Sequence, residues 1–231
     1  MEYQQIEAIL KKQKAFFVKN GPPSYELRID RLNRMKTLVM DNRYKIVDAL
    51  NEDFGVRSKN QSMATDVYTI IPSIEYAKKN LKKWMAGSKR KPNFPLGLLG
   101  AKASVAYEPL GTVGMISPWN FPMFLTFSPA ASIFAAGNQI MHKPSEYTEH
   151  SSNLMKELCD TVFDEEEFAT ILGGPDVGAT FTQQKFDHLL YTGSGAVAKH
   201  IMKAAAENLV PVTLELGGKS PVIVSNTADS V

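Results

Sequence analysis

The sequence predicts an α/β fold in which N-terminal helices precede a mostly parallel β-sheet flanked by helices. Two observations support this class. Up to about residue 104, apolar side chains recur at helical spacing. From there on, short strand-like and helix-like segments alternate, which is typical of βαβ units around a parallel sheet. We therefore expect a helical segment over residues 1–104 and an α/β domain over residues 105–231.

The first part of the chain is expected to contain three helices. One covers residues 3–19 and ends before the Gly-Pro-Pro of residues 21–23, since proline cannot continue a helix. Ser24, whose hydroxyl can accept from a backbone N–H, begins a second and longer helix that runs to about Phe54. The third helix covers residues 63–85. Apolar positions repeat along each of them, so each has one face to bury.

The α/β part is predicted from the order of its segments. A parallel strand can be reached only through a crossover, and helix-like runs separate the strand-like ones. The strand-like runs are "TVGMIS", "QIMHKPS", "FATILGG", "HLLYTG" and "PVTLELGG". The helix-like runs between them are "SPAASIFAAGN", "EHSSNLMKELCDTV", "VGATFTQQK" and "GAVAKHIMKAAAEN".

Charge and hydropathy exclude several classes of function. Of the 231 residues, 44% are hydrophobic, which is enough for a globular core. The 26 Lys and Arg nearly balance the 24 Asp and Glu, so no strong field favours nucleic acid or a membrane surface as a partner. The lysines around Trp84, at the end of the third helix, are interpreted as exposed to solvent. Their positive charges there interact favourably with the helix dipole. No apolar run approaches the roughly 18 residues of a membrane span.

Cysteine and histidine usage limits the redox and metal chemistry. The single cysteine, Cys159, excludes an internal disulfide, and the chain opens without a cationic and apolar leader, so we expect a cytoplasmic location. The four histidines lack the paired spacing of metal ligands, so no metal site is expected. Small, uncharged or amphoteric molecules remain open as partners.

Loops at strand ends carry the candidate site, because ligands of parallel sheets bind at the carboxyl ends of the strands. In "ISPWNFP", two prolines flank Trp119 and Asn120, and Asn120 is either a turn former or an amide donor to an oxyanion. In "HKPSE", Lys143 and Glu146 form either a surface ion pair or a site for the hydroxyls of an adenosine ribose. Neither loop decides alone between its two interpretations.

The loop "YTGSGAVAKH" follows a strand and begins a helix. Starting at Gly193, it fits G-x-G-x-x-A, the fingerprint in which helix N-terminal N–H groups bind a pyrophosphate, and this indicates a Rossmann-like nucleotide-binding sheet. Glu215 lies 20 residues beyond Gly195, where the ordinary fingerprint has its ribose-binding acid. By that interpretation Glu215 binds the cofactor. The other interpretation places it on an exposed edge or beside a lysine.

Taken together, the motifs resemble one family. "PWNFP", "KPSE", "GGPDVGA", "YTGSGAV" and "LELGGKSP" stand in the order and approximate spacing of the aldehyde dehydrogenase superfamily, over essentially the whole chain. The stretch "MDNRYKIVDALNEDFG" and the "KPSE" form look most like its coniferyl aldehyde dehydrogenase branch. This resemblance implies an NAD(P)-dependent oxidoreductase that converts an aldehyde, of coniferyl-type aromatic class, to a carboxylic acid.

The resemblance also implies roles for individual residues. Asn120 would donate to an oxyanion, and Glu215 would be the general base that activates water. The cofactor-binding residues it implies are Ile116, Pro118, Trp119, Lys143, Ser145, Glu146, Gly174, Gly178, Gly193, Ser194, Val197, Leu216 and Gly217. Gly195 and Ala198 depart from the family pattern, which often has a bulkier residue and a glycine at these positions.

The nucleophile of the family's reaction is missing. In the family, a cysteine thiolate attacks the aldehyde to give a thiohemiacetal and then a thioester, and this cysteine follows the general base by a few dozen residues. Here only 16 residues follow Glu215, and Cys159 lies in a predicted amphipathic helix, which suits a structural thiol. We therefore expect an N-terminal portion that is inactive alone. Its last residues, "SNTADSV", have no features of a natural ending.

By the resemblance, Lys143 and Glu146 hold the adenosine ribose. NAD is favoured, because Glu146 would repel the 2′-phosphate of NADP. NADP stays the alternative, because Lys143 could pair with that phosphate. The complete enzyme would be a homodimer, in which the extended residues 103–110 pair with a strand of the second subunit. Two other functions stay open: a non-catalytic dinucleotide-binding module, and an ordinary Rossmann reductase in which Glu215 binds the ribose.

Overall fold

The computed structural model describes residues 2–228, so the last residues of the terminal "SNTADSV" lie outside the described part. The helices that precede the sheet are α1 (Tyr3–Asn20), α2 (Tyr25–Asp41), α3 (Arg43–Phe54), the single turn α4 (Lys59–Ser62) and α5 (Ile70–Met85). An antiparallel ladder of β1 (Ser88–Arg90) and β2 (Ala103–Val105) follows, with a 3₁₀ turn over Leu96–Leu99 between its strands.

A parallel sheet and its crossover helices form the rest of the described chain. The strands are β3 (Thr112–Ile116), β4 (Gln139–Lys143), β5 (Phe168–Thr170), β6 (His188–Gly193) and β7 (Val212–Leu216). The helices are α6 (Phe124–Ala135), α7 (Glu149–Val162), α8 (Pro175–Thr182) and α9 (Gly195–Ala206). The order across the sheet is β5-β4-β3-β6-β7, so the chain leaves the central β3 in two opposite directions. The predicted α/β class is confirmed.

Helices cover both faces of the sheet, and the central strands are therefore buried on both sides. On one face, Val113 and Met115 of β3 pack with apolar residues of α2, α3, α5, α6 and α7. On the other face, Leu189 and Tyr191 of β6 pack with residues of α1, α8 and α9. The alternation of these side chains along the strands divides the apolar core into two clusters.

The second predicted helix is in fact two helices, with a break at Asn42. The Asn42 side-chain amide donates to the Leu38 carbonyl at 2.9 Å, beside the 3.4 Å bond from its own backbone N–H. A side chain that competes for a helical carbonyl loosens the helix, and Asn42 adopts φ −103° and ψ 11°. The apolar spacing continues through this residue, which is why the sequence pattern predicts one helix.

The third predicted helix, residues 63–85, is α-helical only from Ile70. Residues Met63–Tyr68 form a π-helical turn, which accommodates an additional residue and shifts the direction of the side chains. Asp66 and Val67 are the buried residues of this turn. A charged residue in this position is the first indication of a polar contact inside the core.

The division expected between residues 104 and 105 stays a prediction. Helices α2, α3 and α5 share one apolar cluster with α6 and β3, so side chains from both parts of the chain pack together.

No helix within residues 2–228 is long and apolar enough to cross a membrane. In the same described range, no group of three or more His, Cys, Asp and Glu side chains is arranged to hold a metal ion.

Candidate functional site

The carboxyl ends of the five parallel strands lie along one edge of the sheet. Ile116 of β3 is in register with Lys143 of β4 on one side and with Tyr191 of β6 on the other. Beyond β6, Gly193 is in register with Leu216 of β7. The strand order reverses beside β3, and such a switch point opens a crevice for a ligand. All the predicted site residues lie at these strand ends or in the loops and helical turns that follow them.

The loop after β3, residues 117–123, presents Trp119 and Asn120 to solvent, while Pro118 is half-buried. The Asn120 amide oxygen accepts from the backbone N–H of Phe121 at 3.1 Å. Among residues 2–228 the Asn120 amide nitrogen donates no hydrogen bond, so its N–H groups are available to a ligand. The predicted role as an oxyanion donor requires such a group, and that role stays a prediction.

Two charged residues whose side chains are buried hold this loop, and sequence reasoning missed both. Arg57 donates to the Asn120 backbone carbonyl at 2.9 Å and to the Asp66 carboxylate at 2.7 Å. Asp66 in turn accepts from the backbone N–H groups of Met123 at 3.2 Å and Phe124 at 3.3 Å. Burial raises the pKa of the Asp66 carboxyl, and the Arg57 charge and these N–H groups oppose the rise. The available signal was an acid on the apolar face of "SMATDVYTI".

Behind the loop, three buried side chains connect β3, β4 and α6. Nε2 of His142 lies 2.7 Å from Ser117 Oγ and 3.2 Å from Thr126 Oγ1, and the Thr126 hydroxyl donates to Ser117 at 2.9 Å. Burial, and then the neighbouring Lys143 charge, lower the pKa of His142 to about 3. The imidazole is therefore neutral near pH 7, and it fixes the turn at the end of β3. Sequence reasoning considered His142 only as a metal ligand.

The loop after β4 begins with a buried cation. The Lys143 ammonium donates to the Pro144 carbonyl at 2.7 Å and lies 3.3 Å from a Glu146 carboxylate oxygen. Burial lowers the pKa of the Lys143 ammonium, and the Glu146 charge opposes this shift. The Lys143 side chain is 3% exposed and that of Glu146 is 31% exposed. The lysine of this pair is therefore buried, and the glutamate reaches the surface.

A cavity of about 370 Å³ opens between the loops that follow β4 and β5. Its walls include three predicted cofactor residues, Ser145, Glu146 and Gly174. Gly174 stands at the N-terminus of α8, where the first backbone N–H groups have no intrahelical partner. No atom lies within 4 Å of a Cβ position at Gly174 or Gly178, so the surface there is open to the close approach of a ligand.

The loop after β6 forms the N-terminus of α9. Ser194 caps this helix, and its hydroxyl oxygen accepts from the Val197 N–H at 3.3 Å. A side chain at Gly193 would collide with the Tyr191 hydroxyl, which itself donates to the Ser194 carbonyl at 3.3 Å. Gly195 faces open space instead. The turn therefore needs glycine at 193, whereas position 195 has room for the bulkier residue of the family pattern.

Glu215 lies in β7, in register with Thr192 of β6, and its side chain is exposed. Since β7 ends the strand order, one of its edges has no neighbouring strand among the described residues. Leu216 and Gly217 are exposed beside it. Exposure explains how a carboxylate is tolerated in this apolar run, because it avoids the cost of burying a charge. β6 separates β3 from β7, so the carboxyl ends of these two strands are about 10 Å apart.

Cys159 is buried in α7, with 1% of its surface exposed. Burial, assisted by the Asp160 charge, raises the pKa of the Cys159 thiol well above its usual range. A neutral and enclosed thiol is a poor nucleophile, which agrees with its interpretation as a structural side chain.

Comparison with known proteins identifies relatives of this arrangement. A model of the aldehyde dehydrogenase family matches residues 1–231. The chain is 53% identical over 222 residues to a probable coniferyl aldehyde dehydrogenase of Caulobacter vibrioides, covering 96% of this chain and 46% of that protein. It is 50% identical over 226 residues to the coniferyl aldehyde dehydrogenase of a Pseudomonas species, covering 98% and 46%. The chain spans about half the length of the curated relatives it matches.

Solved structures show the same fold. The substrate-bound state of Staphylococcus aureus AldH is 38% identical with a TM-score of 0.88, over 97% of this chain and 48% of that one. The NAD⁺ complex of an aldehyde dehydrogenase from Bacillus cereus is 26% identical with a TM-score of 0.83, over 99% and 46%. The predicted resemblance is confirmed at the level of the family and of its coniferyl aldehyde dehydrogenase relatives.

Proposed function

The chain belongs to the aldehyde dehydrogenase family, and from this premise we propose that it is the N-terminal, cofactor-binding part of an NAD(P)-dependent aldehyde dehydrogenase. The observation that carries the proposal is the carboxyl edge of the sheet. There the five strand ends bring together a buried lysine, an exposed amide and the N-termini of α8 and α9. This is the edge at which α/β folds bind dinucleotides.

The residues at this edge fit the adenosine half of a dinucleotide. A cavity of about 370 Å³ is within the size range of small-molecule sites, and Ser145 and Glu146 supply hydrogen-bonding groups in its wall. We assign the binding of the adenosine ribose to Lys143 and Glu146. The open surfaces at Gly174 and Gly178 would admit the adenine.

The N-terminus of α9 suits the pyrophosphate. The unpaired N–H groups of its first turn and the Ser194 hydroxyl would bind the phosphate oxygens, with Gly193 and Val197 beside them. The remaining residues of the proposed channel lead toward the nicotinamide: Ile116, Pro118, Trp119, Leu216 and Gly217. When bound, the nicotinamide would accept the hydride that the aldehyde loses.

NAD is the proposed cofactor, with NADP as the alternative. Glu146 is an exposed residue in the wall of the cavity, where its carboxylate would repel a 2′-phosphate. The buried Lys143 is already paired with this carboxylate at 3.3 Å, which reduces what it can offer to a phosphate.

We assign two steps of the reaction to residues of this chain. The Asn120 amide would donate to the oxyanion that forms when a cysteine of the complete enzyme attacks the aldehyde. Glu215 would activate the water that hydrolyses the resulting thioester. Because Cys159 is buried and neutral, the chain supplies no nucleophile of its own within its described residues, and we propose that it is inactive alone.

The names of two relatives support a coniferyl-type aromatic aldehyde as the substrate.

We also propose a homodimer in the complete enzyme and a cytoplasmic location. Large apolar side chains near β2 favour an interface, since Leu98 is 78% exposed and Leu99 is 79% exposed. The division into residues 1–104 and 105–231 belongs to the same proposal.

Calorimetric titration of the folded, purified chain with NAD⁺ and NADP⁺ tests the proposed function. We expect saturable binding of a dinucleotide. The variant Lys143→Met should weaken that binding by about tenfold or more, because a buried charge-assisted contact is lost. A folded chain that binds neither nucleotide would contradict the proposal.

One alternative is favoured by a specific observation. Glu215 stands at the end of the strand next to the Gly193 loop, where a Rossmann reductase has its ribose-binding acid. In that case Glu215→Gln would weaken binding strongly and Lys143→Met would not. Under our proposal the order is reversed, and Glu215→Gln stays within about twofold of the unchanged chain. The second alternative, a non-catalytic dinucleotide-binding module, would show the same binding of the dinucleotide. It differs from our proposal in the complete protein, which would then have no dehydrogenase activity.

A further inference from the structure

The loop that carries Asn120 is held from behind by an ion pair. The Arg57 guanidinium spans two elements: it donates to the Asn120 carbonyl at 2.9 Å and to the Asp66 carboxylate at 2.7 Å. A third bond goes to the Thr65 hydroxyl at 3.0 Å. The Arg57 side chain is 8% exposed and that of Asp66 is fully buried. The contact therefore fixes the backbone of the very residue whose side chain is free to donate.

The second oxygen of Asp66 holds the other end of the same loop. It accepts from the N–H groups of Met123 at 3.2 Å and Phe124 at 3.3 Å, at the start of α6. Helix N-terminal N–H groups lack intrahelical partners, and Met123, at the cap position, offers no side-chain acceptor. Asp66 thus caps α6 from another part of the chain. Asp66 lies in the π-helical turn of residues 63–68.

Aromatic rings fix the orientation of the guanidinium. Its central carbon lies 4.8 Å from the Phe54 ring centroid and 4.9 Å from that of Phe121, which follows Asn120. The Phe54 ring also lies 6.2 Å from the Trp119 ring. A planar, multidentate cation meets these contacts at once, and a lysine ammonium cannot.

We infer that Arg57 and Asp66 are positioning residues for Asn120, which together hold both ends of the loop of residues 117–123. A buried ion pair adds little net stability compared with apolar residues, because its desolvation is costly. The value of this pair is the geometry that it imposes on the loop and on the start of α6. The inference rests on the proposed function, since Asn120 is the proposed oxyanion donor.

The test uses two conservative variants of the chain, Arg57→Lys and Asp66→Asn. In Asp66→Asn one carboxylate oxygen becomes an N–H₂ group, so the side chain cannot accept from both Arg57 and α6. Hydrogen exchange of the Met123 and Phe124 amides should become faster by roughly tenfold, as expected for the loss of one net hydrogen bond. The chain has two tryptophans, so a Trp84→Phe background isolates Trp119, whose quenching by acrylamide should rise.

The buried pair Arg31–Glu167 provides the control. Its side chains are 2% and 9% exposed and lie 2.9 Å apart, so Arg31→Lys and Glu167→Gln make the same two changes in a comparable ion pair away from the loop. These variants should lower the free energy of unfolding without changing the Trp119 or amide readouts. The variants of the two pairs are compared at the same loss in free energy of unfolding. If they change the Trp119 and amide readouts equally, the role of Arg57 and Asp66 is merely structural, and the inference is overturned. Unchanged readouts in Arg57→Lys and Asp66→Asn would also overturn it.

A milder variant covers the case in which the others do not fold. Thr65→Val removes one of the Arg57 hydrogen bonds, and it should move both readouts in the same direction by about twofold to threefold. No change in that variant, when the others are unfolded, counts against the inference. All these readouts are taken without nucleotide. If the unchanged chain fails to bind NAD⁺ while its loop responds as expected, the proposed function fails and the positioning of the loop stands.

Discussion

The ammonium of Lys143 lies 3.3 Å from the carboxylate of Glu146, and of the two side chains the glutamate is the exposed one. The lysine is fixed at the end of a parallel strand, while Glu146 forms part of the wall of the 370 Å³ cavity. The two charges have opposite effects on a ribose phosphate. Removing one charge or the other should therefore change the affinity for a 2′-phosphate in opposite directions.

Glu146→Gln should shift cofactor preference toward NADP⁺. Removing the negative charge ends its repulsion of the 2′-phosphate and leaves the Lys143 charge unpaired, so the ratio of NADP⁺ to NAD⁺ affinity should rise about fivefold or more. Calorimetric titration measures both affinities, and the shift should shrink in high salt. Asp160→Asn, which removes the acid of the exposed pair with Lys156, should leave the ratio unchanged. Equal changes for both nucleotides would contradict the assigned place of Glu146.

His142 should make stability fall as the pH falls. Burial depresses its pKa from 6.5 to about 3, so between these values the unfolded chain binds more protons than the folded one. The contribution of neutral His142 to the free energy of unfolding is fully present above pH 6.5 and is lost as the pH approaches 3. The slope from this group is at most about 1.4 kcal/mol per pH unit. Urea unfolding between pH 7 and pH 5 should show a shallower slope for His142→Gln.

The control for this slope is His200→Gln, which changes an exposed histidine of α9. It should leave the pH dependence of unfolding as it is in the unchanged chain. Carboxylates that titrate in the same range contribute equally to all three proteins, so the difference between them isolates His142. A His142→Gln slope that equals the slope of the unchanged chain would show that the imidazole titrates alike in both states.

The site residues at the strand ends could be predicted from the sequence, but the residues that hold their loops in place could not. Lys143, Gly193 and Glu215 follow short apolar runs, so local patterns place them at one edge of a parallel sheet. Asp66 instead accepts from N–H groups 57 and 58 residues further along the chain, and no local pattern encodes such a contact. The break at Asn42 was hidden for the opposite reason: it depends on a single side-chain bond within an uninterrupted apolar repeat.

The two glycines of the β6–α9 loop should respond differently to alanine. At Gly193 a Cβ would collide with the Tyr191 hydroxyl, so Gly193→Ala should lower the free energy of unfolding by about 1–3 kcal/mol. At Gly195, the first residue of α9, there is open space, and Gly195→Ala should be neutral or stabilising by up to about 1 kcal/mol. Urea unfolding measures both values. Similar losses at the two positions would contradict the described turn.

Ser194→Ala should affect both stability and cofactor binding, and Ser24→Ala should affect stability alone. Both hydroxyls cap a helix and accept from a backbone N–H at 3.3 Å, Ser194 from Val197 and Ser24 from Leu27. Each substitution should therefore cost about 1 kcal/mol in unfolding free energy. Only Ser194 stands at the carboxyl edge of the sheet, where its hydroxyl is proposed to bind the pyrophosphate. Dinucleotide affinity should fall about threefold to tenfold in Ser194→Ala and stay constant in Ser24→Ala. If affinity falls equally in both, the loss reflects general destabilisation, and the pyrophosphate does not bind at α9.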